Sequence, residues 1–374
     1  MFVQTNLTIS PVIEGFSGSG KSQLVNSLKA RVNISEGYVL THKFDQMSKE
    51  RGLLELVAVF DGLCSLIREK RTQKDLDSLA NNIKEVFGTD FSMLAQLLPN
   101  IHTLSQLQST TAEGDSDVRL NLHSVSFILQ RFLRVVSSRE HPIMLFVDDI
   151  QWSESSALTL IEEILCDSIR SSCIFVVAAY RSNEVEHDHD LFRMIDSLNS
   201  HGIPLTRLSL EGLAPEHLNG MISDAMGTFP RISEPLSDIV FQKTKGNPFF
   251  ALEFMRSLVD GGMLTYDTCQ RRWIWDEVCI SSMDITGNVI YLLSSKMSSL
   301  SENVQLALKV ASCFGIKMKE VIVNYLGFDS EYAGMPDGME HVLKEGFMIK
   351  VGASEYKFVH DKVKYFVAWR TKYD

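Results

Sequence analysis

"EGFSGSGKSQLV", Glu14 to Val25, decides the fold. Gly15–Ser22 satisfies the pattern G-x-x-x-x-G-K-[ST]; the apolar run "PVIE" (Pro11–Glu14) precedes it, and a segment with Leu24, Val25 and Leu28 on one helical face follows. A strand, a Gly-rich turn and a helix in that order make a phosphate cradle. Glycines let consecutive backbone N–H groups converge on phosphate oxygens, and the helix start adds partial positive charge. On this reading Gly15, Phe16, Ser17, Gly18, Ser19, Gly20, Lys21 and Ser22 bind a nucleotide, Lys21 meeting the β- and γ-phosphates and Ser22 ligating Mg²⁺. The loop alone leaves open whether the nucleotide is consumed or held as a switch.

Four more runs read as strands: "YVLTHKF" (Tyr38–Phe44), "IMLFVD" (Ile143–Asp148), "CIFVVAAY" (Cys173–Tyr180) and "LTRLSL" (Leu205–Leu210). The second and third of these are nearly continuous apolar β-formers, as central strands buried on both faces require. Helical periodicity fills the intervals, for example Leu53, Leu56, Val57, Phe60 and Leu63, then Val125, Ile128, Leu129, Phe132 and Leu133, with "TTAEGDSD" (Thr110–Asp117) as a polar loop. From about Gly212 the texture changes to helices ending in a hairpin, "GFMIKVGASEYKFVH". The fold class expected is therefore α/β: a P-loop NTPase with a parallel sheet and flanking helices, followed by a helical lid and a winged-helix domain. The expected boundaries are 1–211 for the ATPase domain, 212–275 for the lid and 276–374 for the winged helix.

An ATPase needs an acid at the end of another central strand. In "PIMLFVDDIQW" five apolar residues, Ile143–Val147, run into Asp148 and Asp149. Asp148 is placed to bind Mg²⁺ and Asp149 to orient or deprotonate the attacking water. Alone, the pair reads equally well as a strand-end turn. The strand "CIFVVAAY" runs into Arg181, which would face the same crevice and sense or stabilise the γ-phosphate; the plain alternative is a surface arginine.

Bulk properties narrow the class. The chain has 374 residues, 45% hydrophobic and 22% charged, which suits folded domains rather than disordered or fibrous classes. Thirty-six Lys and Arg against 47 Asp and Glu leave a net charge of −11, which argues against a broad nucleic-acid surface. Six scattered cysteines with no C-x-x-C pair fit a reduced setting. No membrane-spanning run and no signal peptide appear in the sequence, so the expected location is the cytoplasm or the nucleus.

The set "GFSGSGKS", "KFDQ" (Lys43–Gln46), "LFVDDIQW", "AAYRSNEV", "KGNPFF" (Lys245–Phe250), "RRWIWD" (Arg271–Asp276) and "YKFVHDKV" (Tyr356–Val363) resembles the STAND NTPases. It is particularly similar to the origin-recognition-like AAA ATPase module of large regulators, found beside protein-kinase, histidine-kinase or cyclase domains. The resemblance covers nearly the whole chain. It implies ATP and ADP as ligands with Mg²⁺, slow hydrolysis, and lid and winged-helix bodies moved by nucleotide state. Unidentified signalling proteins are the implied partners, and there is room for nucleotide-dependent self-association. Through the resemblance Pro248 matches the lid proline that packs on the base, with Gly246 permitting close approach, and His360 is similar to a histidine that touches the ADP β-phosphate in related NB-ARC switches. Read without it, Gly-Asn-Pro is a turn or helix start, and His360 a histidine between wing and helix.

Other features are discounted. "EHDHD" (Glu186–Asp190) lacks a structural metal spacing and reads as a solvated loop, and Trp152, Trp273 and Trp275 read as packing or lid contacts. Only fourteen residues precede Gly15 and fourteen follow His360, so weak adenine binding is expected, in a stand-alone module or part of a larger regulator. The leading expectation is an ATP-hydrolysing signalling switch with Asp149, Lys21 and Arg181 in catalytic roles. A catalytically weak nucleotide-binding scaffold is the alternative. Origin-like DNA binding through Lys362, Lys364, Arg370 and Lys372 ranks third against the acidic total.

Overall fold

Short β-branched and aliphatic runs punctuated by helical periodicity can bury both faces of a strand only in a parallel sheet covered by helices, and the chain builds one. The computed structural model describes residues 10–34, 36–46, 51–104, 121–171, 173–186, 188–203, 205–283, 297, 300–315, 317–329, 332–352, 354–359, 363–364 and 367–368. It divides into two compact units, Met1–Leu210 and Glu211–Asp374.

In the first unit five strands, β1 (Ser10–Gly15), β2 (Tyr38–Lys43), β3 (Ile143–Asp148), β4 (Ile174–Tyr180) and β5 (Leu205–Leu210), form one sheet in the order β2-β3-β4-β1-β5. Every pairing is parallel. All six residues of β3 are buried, while β5 at the edge leaves its middle residues exposed. The loop-bearing strand β1 does not touch the acid-bearing strand β3, because β4 lies between them. This is the additional-strand arrangement of a P-loop NTPase, as the sequence led one to expect.

Helices α1 (Lys21–Ile34), α2 (Gly52–Lys70), α3 (Gln73–Phe87), α4 (Phe91–Leu97), α5 (Leu122–Val136), α6 (Ser155–Ser171) and α7 (Asp190–Ser200) connect the strands. Their starts follow from local chemistry: Thr72 and Asn121 cap α3 and α5 by accepting backbone N–H bonds from Asp75 and Ser124. A core of Ile13, Val25, Met144, Phe146, Val177 and Ala179 lies between α1 and the sheet. The expected polar loop Thr110–Asp117 lies outside the described residues.

The second unit holds two hydrophobic cores. One joins α8 (Pro215–Met226), α9 (Pro230–Thr244), α10 (Pro248–Asp260), α11 (Glu277–Ser282) and the hairpin β6 (Leu264–Asp267)–β7 (Arg272–Trp275). The sequence reading had placed only helices here. The hairpin forms because the Asp267 carboxylate accepts the N–H groups of Cys269 and Gln270, an Asx-type turn, and Arg271 takes a positive φ of 51°. The other core lies among α12 (Glu302–Cys313), β8 (Lys317–Lys319), α13 (Glu320–Leu326), α14 (Met335–Lys344), β9 (Met348–Val351) and β10 (Glu355–Phe358). The three strands pair antiparallel in the order β8-β10-β9. The last two are the hairpin legible in the sequence.

Candidate functional site

The turn between β1 and α1 holds Gly15 to Gly20, and α1 starts at Lys21. A Cβ on Gly15 would lie 2.5 Å from the Leu210 carbonyl oxygen and 2.8 Å from Ser19 Oγ, so only glycine fits where the strand leaves the sheet. Gly20 has φ +95°, a conformation L side chains rarely adopt, and a Cβ there would meet nothing within 4 Å. The loop is thus shaped around open space at the start of a helix. Among the described residues, Ser19 Oγ is one of two buried side-chain polar atoms without a hydrogen-bond partner. Buried hydroxyls are normally satisfied; an orphan here, in the loop that leads into α1, fits a loop built to receive an anion.

Lys21 donates from Nζ to the carbonyl oxygens of Gly15 at 2.7 Å and Phe16 at 3.0 Å, so its ammonium is folded back over the loop. Burial lowers its pKa, an effect the carboxylates of Asp149 and Asp148 partly oppose. A buried cation held by neutral carbonyls gains from an added anion. Ser22 Oγ donates to Asp148 Oδ2 at 3.0 Å, joining the loop helix to the end of β3. A hydroxyl and a carboxylate oxygen in direct contact are the donor set of a hard divalent cation that also takes phosphate oxygens and water. The residues present therefore fit Mg²⁺-nucleotide, and Ser22 and Asp148 are the pair that would hold the ion.

Asp149 takes the left-handed conformation (φ 52°, ψ 41°), tolerated by aspartate more readily than by most residues, and so breaks β3 into a single tight turn, Ile150–Trp152. Its carboxylate is buried among cations. Arg181 Nε donates to Oδ1 at 2.9 Å and Arg181 Nη2 to Oδ2 at 3.0 Å, a two-pronged pair. Lys43, from the end of β2, is 3.1 Å from Oδ2 and 3.9 Å from Asp148. Burial pushes the Asp149 carboxyl up, but Lys43 and Arg181 together outweigh it and hold it below the usual carboxylate range. The Arg181 guanidinium lies over the Trp152 ring, 4.4 Å from its centroid, and Nη1 reaches Glu184 at 2.8 Å.

Asp148, Asp149, Lys21, Ser22 and Arg181 therefore meet at the carboxyl end of the sheet, where α/β proteins place ligands. The structure puts Arg181 on Asp149 and makes it a buried residue, not a surface arginine. Sequence reasoning assigned no role to Lys43, Gln151 or Glu184, and read Trp152 as a packing or lid contact. "EHDHD" also differs from a plain solvated loop: the His189 ring accepts the N–H of Leu191 to cap α7 and contacts the Gln151 carbonyl at 3.0 Å.

Pro248 belongs to the second unit and occupies the first turn of α10, behind Asn247, whose side chain accepts the N–H of Phe250 at 3.2 Å. Gly246 permits a close approach, and the partner is Leu213: its N–H donates to the Gly246 carbonyl at 2.7 Å, and a Cβ on Gly246 would lie 2.2 Å from the Leu213 oxygen. His360, with Lys362, Arg370 and Lys372, lies outside the described residues.

The chain is similar, at 21% identity over 368 residues, to the hybrid signal transduction histidine kinase G of Dictyostelium discoideum; the match takes in 81% of this chain and spans about a tenth of that relative's length. Among solved structures it is similar to a Signal Transduction ATPase with Numerous Domains protein with a tetratricopeptide repeat sensor from Pyrococcus horikoshii, with 16% identity, 97% of this chain, 40% of that one and a TM-score of 0.47. The Cdc6p of Pyrobaculum aerophilum matches at 11% identity over 97% and 88% of the two chains, with a TM-score of 0.41. The family model of the AAA ATPase domain matches residues 10–177, from β1 into β4 and through the loop, Lys43, Asp148 and Asp149. Over that stretch, which is a little under half of the chain, the protein is similar to the AAA ATPase domain family.

Proposed function

We propose that the protein is a regulatory ATPase that binds Mg²⁺-ATP on Gly15–Ser22, hydrolyses it slowly and uses its nucleotide state as a signal. The observation that carries the reading is the direct contact of Ser22 with Asp148 beside the cation-held Asp149. It supports a metal-assisted hydrolytic site rather than a phosphate cradle alone. Bound Mg²⁺ would neutralise phosphate charge and orient the terminal group. Lys21 exchanges the loop carbonyls for phosphate oxygens, Asp149 orients the attacking water, and Arg181 balances charge that develops beside it. Slow turnover follows from the electrostatics: a carboxylate ion-paired twice is a poor base until one partner leaves.

The second unit supplies the signalling half of the proposal. The order α12-β8-α13-α14-β9-β10 supports reading it as a winged helix after the helical lid; roles for Pro248 at the base and His360 at ADP rest on the family resemblance alone. Similarity to part of a hybrid histidine kinase supports a regulatory setting with signalling partners. Among the described residues no helix is long and apolar enough to cross a membrane.

The test is a titration with a fluorescent mant-ATP analogue and a steady-state phosphate-release assay. Saturable binding abolished by Lys21→Ala, with release abolished by Asp149→Ala while binding persists, is the expected result. Binding without any release would instead make the chain a nucleotide-holding scaffold.

A further inference from the structure

Glu184, in the turn after β4, divides its two carboxylate oxygens between different partners. Oε1 accepts from Arg181 Nη1 at 2.8 Å, and Oε2 accepts from Gln151 Nε2 at 3.1 Å. Gln151, buried in the turn after β3, accepts the backbone N–H of Arg181 on Oε1 at 3.3 Å. The two bonds of Gln151 tie the turn that follows Asp149 to the turn that follows Arg181, and the third closes the latter on itself.

The donor pattern is strict. Both groups facing Glu184 are donors, so the side chain at 184 must offer two acceptors, and of the uncharged or charged side chains of that length only a carboxylate does. The Gln151 amide cannot turn over to accommodate a change, because its oxygen is committed to the Arg181 N–H. With Nη1 held by Glu184 and the ring of Trp152 under its face, the guanidinium presents its Nε–Nη2 edge to Asp149.

We propose that Glu184 and Gln151 are positioning residues for hydrolysis: together they set the orientation of Arg181 beside Asp149, so that the arginine keeps a fixed counter-ion whenever Asp149 is drawn into the reaction. The inference rests on the reading of Asp149 and Arg181 given above. It separates two jobs that one ion pair cannot do. Asp149 is a partner that the chemistry must loosen, whereas Glu184 lies outside it and stays.

The test uses the full chain labelled with 5-fluorotryptophan, the Trp152 resonance being assigned with Trp152→Phe. Glu184→Gln places a donor against the Gln151 amide. It is expected to lower kcat for phosphate release about tenfold, to leave the mant-ATP Kd within about twofold, and to shift the Trp152 ¹⁹F resonance. The double exchange Gln151→Glu with Glu184→Gln restores the pattern at unchanged net charge: the new amide at 184 accepts from Arg181 and donates to the new carboxylate at 151, which still accepts the Arg181 N–H. It is expected to recover kcat to within about threefold and to return the resonance. A Glu184→Gln protein with wild-type kcat and an unmoved resonance overturns the proposal, as does a double variant as impaired as the single one. If Asp149→Ala releases phosphate at the wild-type rate, the ATPase reading fails, and the ¹⁹F shift and its recovery still judge the staple on its own.

Discussion

Lys43 and Asp149 meet at 3.1 Å across the carboxyl ends of β2 and β3, the carboxylate almost fully buried and the ammonium about a third exposed. Burial favours the neutral acid, and the charges of Lys43 and Arg181, with the hydrogen bonds both make, oppose it, so the ionised state of Asp149 depends on this lysine as well as on the arginine. With Lys43 present, Asp149 stays ionised at all pH values above the ordinary carboxylate range. Lys43→Met removes the counterweight and raises the Asp149 pKa. The acid limb of the phosphate-release profile is expected to move to higher pH, measured from pH 5 to 9 in both proteins; an unmoved limb would mean that Asp149 does not act as an ionised group.

Gly15 and Gly20 are expected to fail differently. Gly15→Ala drives a Cβ into the Leu210 carbonyl at 2.5 Å and should cost about 1–3 kcal/mol in urea unfolding. Gly20→Ala meets no atom, so its cost is backbone strain of about 1–2 kcal/mol, but its methyl stands in the open cradle. Mant-ATP affinity should fall more than tenfold in Gly20→Ala, against a smaller loss in Gly15→Ala once unfolding is allowed for.

His42 gives the protein an acid limit unrelated to catalysis. It is buried in β2 with its edge against Phe44, ring centroids 4.4 Å apart, and its Nε2 has no hydrogen-bond partner among the described residues. Burial lowers its pKa from 6.5 to about 4. Below pH 6.5 the unfolded chain takes up a proton that the folded chain refuses, so stability falls with pH and the loss is complete by about pH 4, reaching about 3 kcal/mol. His42→Leu should flatten urea midpoints across that window while leaving those above pH 7 within about 1 kcal/mol of wild type relative to the slope. Parallel slopes in the two proteins would assign the acid sensitivity elsewhere.

Arg71, just beyond α2, donates to the Tyr38 hydroxyl at 2.8 Å and to the Val136 carbonyl at 2.7 Å, joining the start of β2 to the end of α5. Arg71→Ala leaves the fully buried Tyr38 without that bond and is expected to cost about 1–3 kcal/mol. Nucleotide affinity should be unchanged in the folded protein, because the contact lies at the opposite end of β2 from Lys43.

The buried central strands β3 and β4 were legible because each is a short apolar run that needed no partner to declare itself, while β2 and β5 showed as β-forming runs with polar residues among the apolar ones. The phosphate loop was legible because its chemistry depends on residues adjacent in the chain. Lys43, Gln151 and Glu184 were not, since each is an ordinary polar residue at or beyond a strand end and acquires meaning only from the order β2-β3-β4-β1-β5, which sets three separate segments side by side. "AAYRSNEV" and "LFVDDIQW" already contained Glu184 and Gln151, but neither spacing within one segment predicts a hydrogen bond between two segments. The β6–β7 hairpin was hidden for a different reason: its strands are only four residues each and largely exposed, too short for the run Trp273–Trp275 to declare a strand, and the Asx turn that closes them is a side-chain event.

The contacts around Asp149 also fix how a nucleotide arrives. Lys21, Lys43 and Arg181 stand against Asp148, Asp149 and Glu184, three positive and three negative side chains, so this cluster already cancels its own charge. In a chain of net charge −11, a balanced pocket projects little attraction toward an anion approaching through solvent. On the proposed function, capture would depend on short-range rearrangement after contact, with Lys21 leaving its carbonyls and the ion pairs re-sorting, rather than on long-range guidance. On that reading, a site of that kind would load at a rate that depends little on ionic strength, because no long-range field draws the nucleotide in.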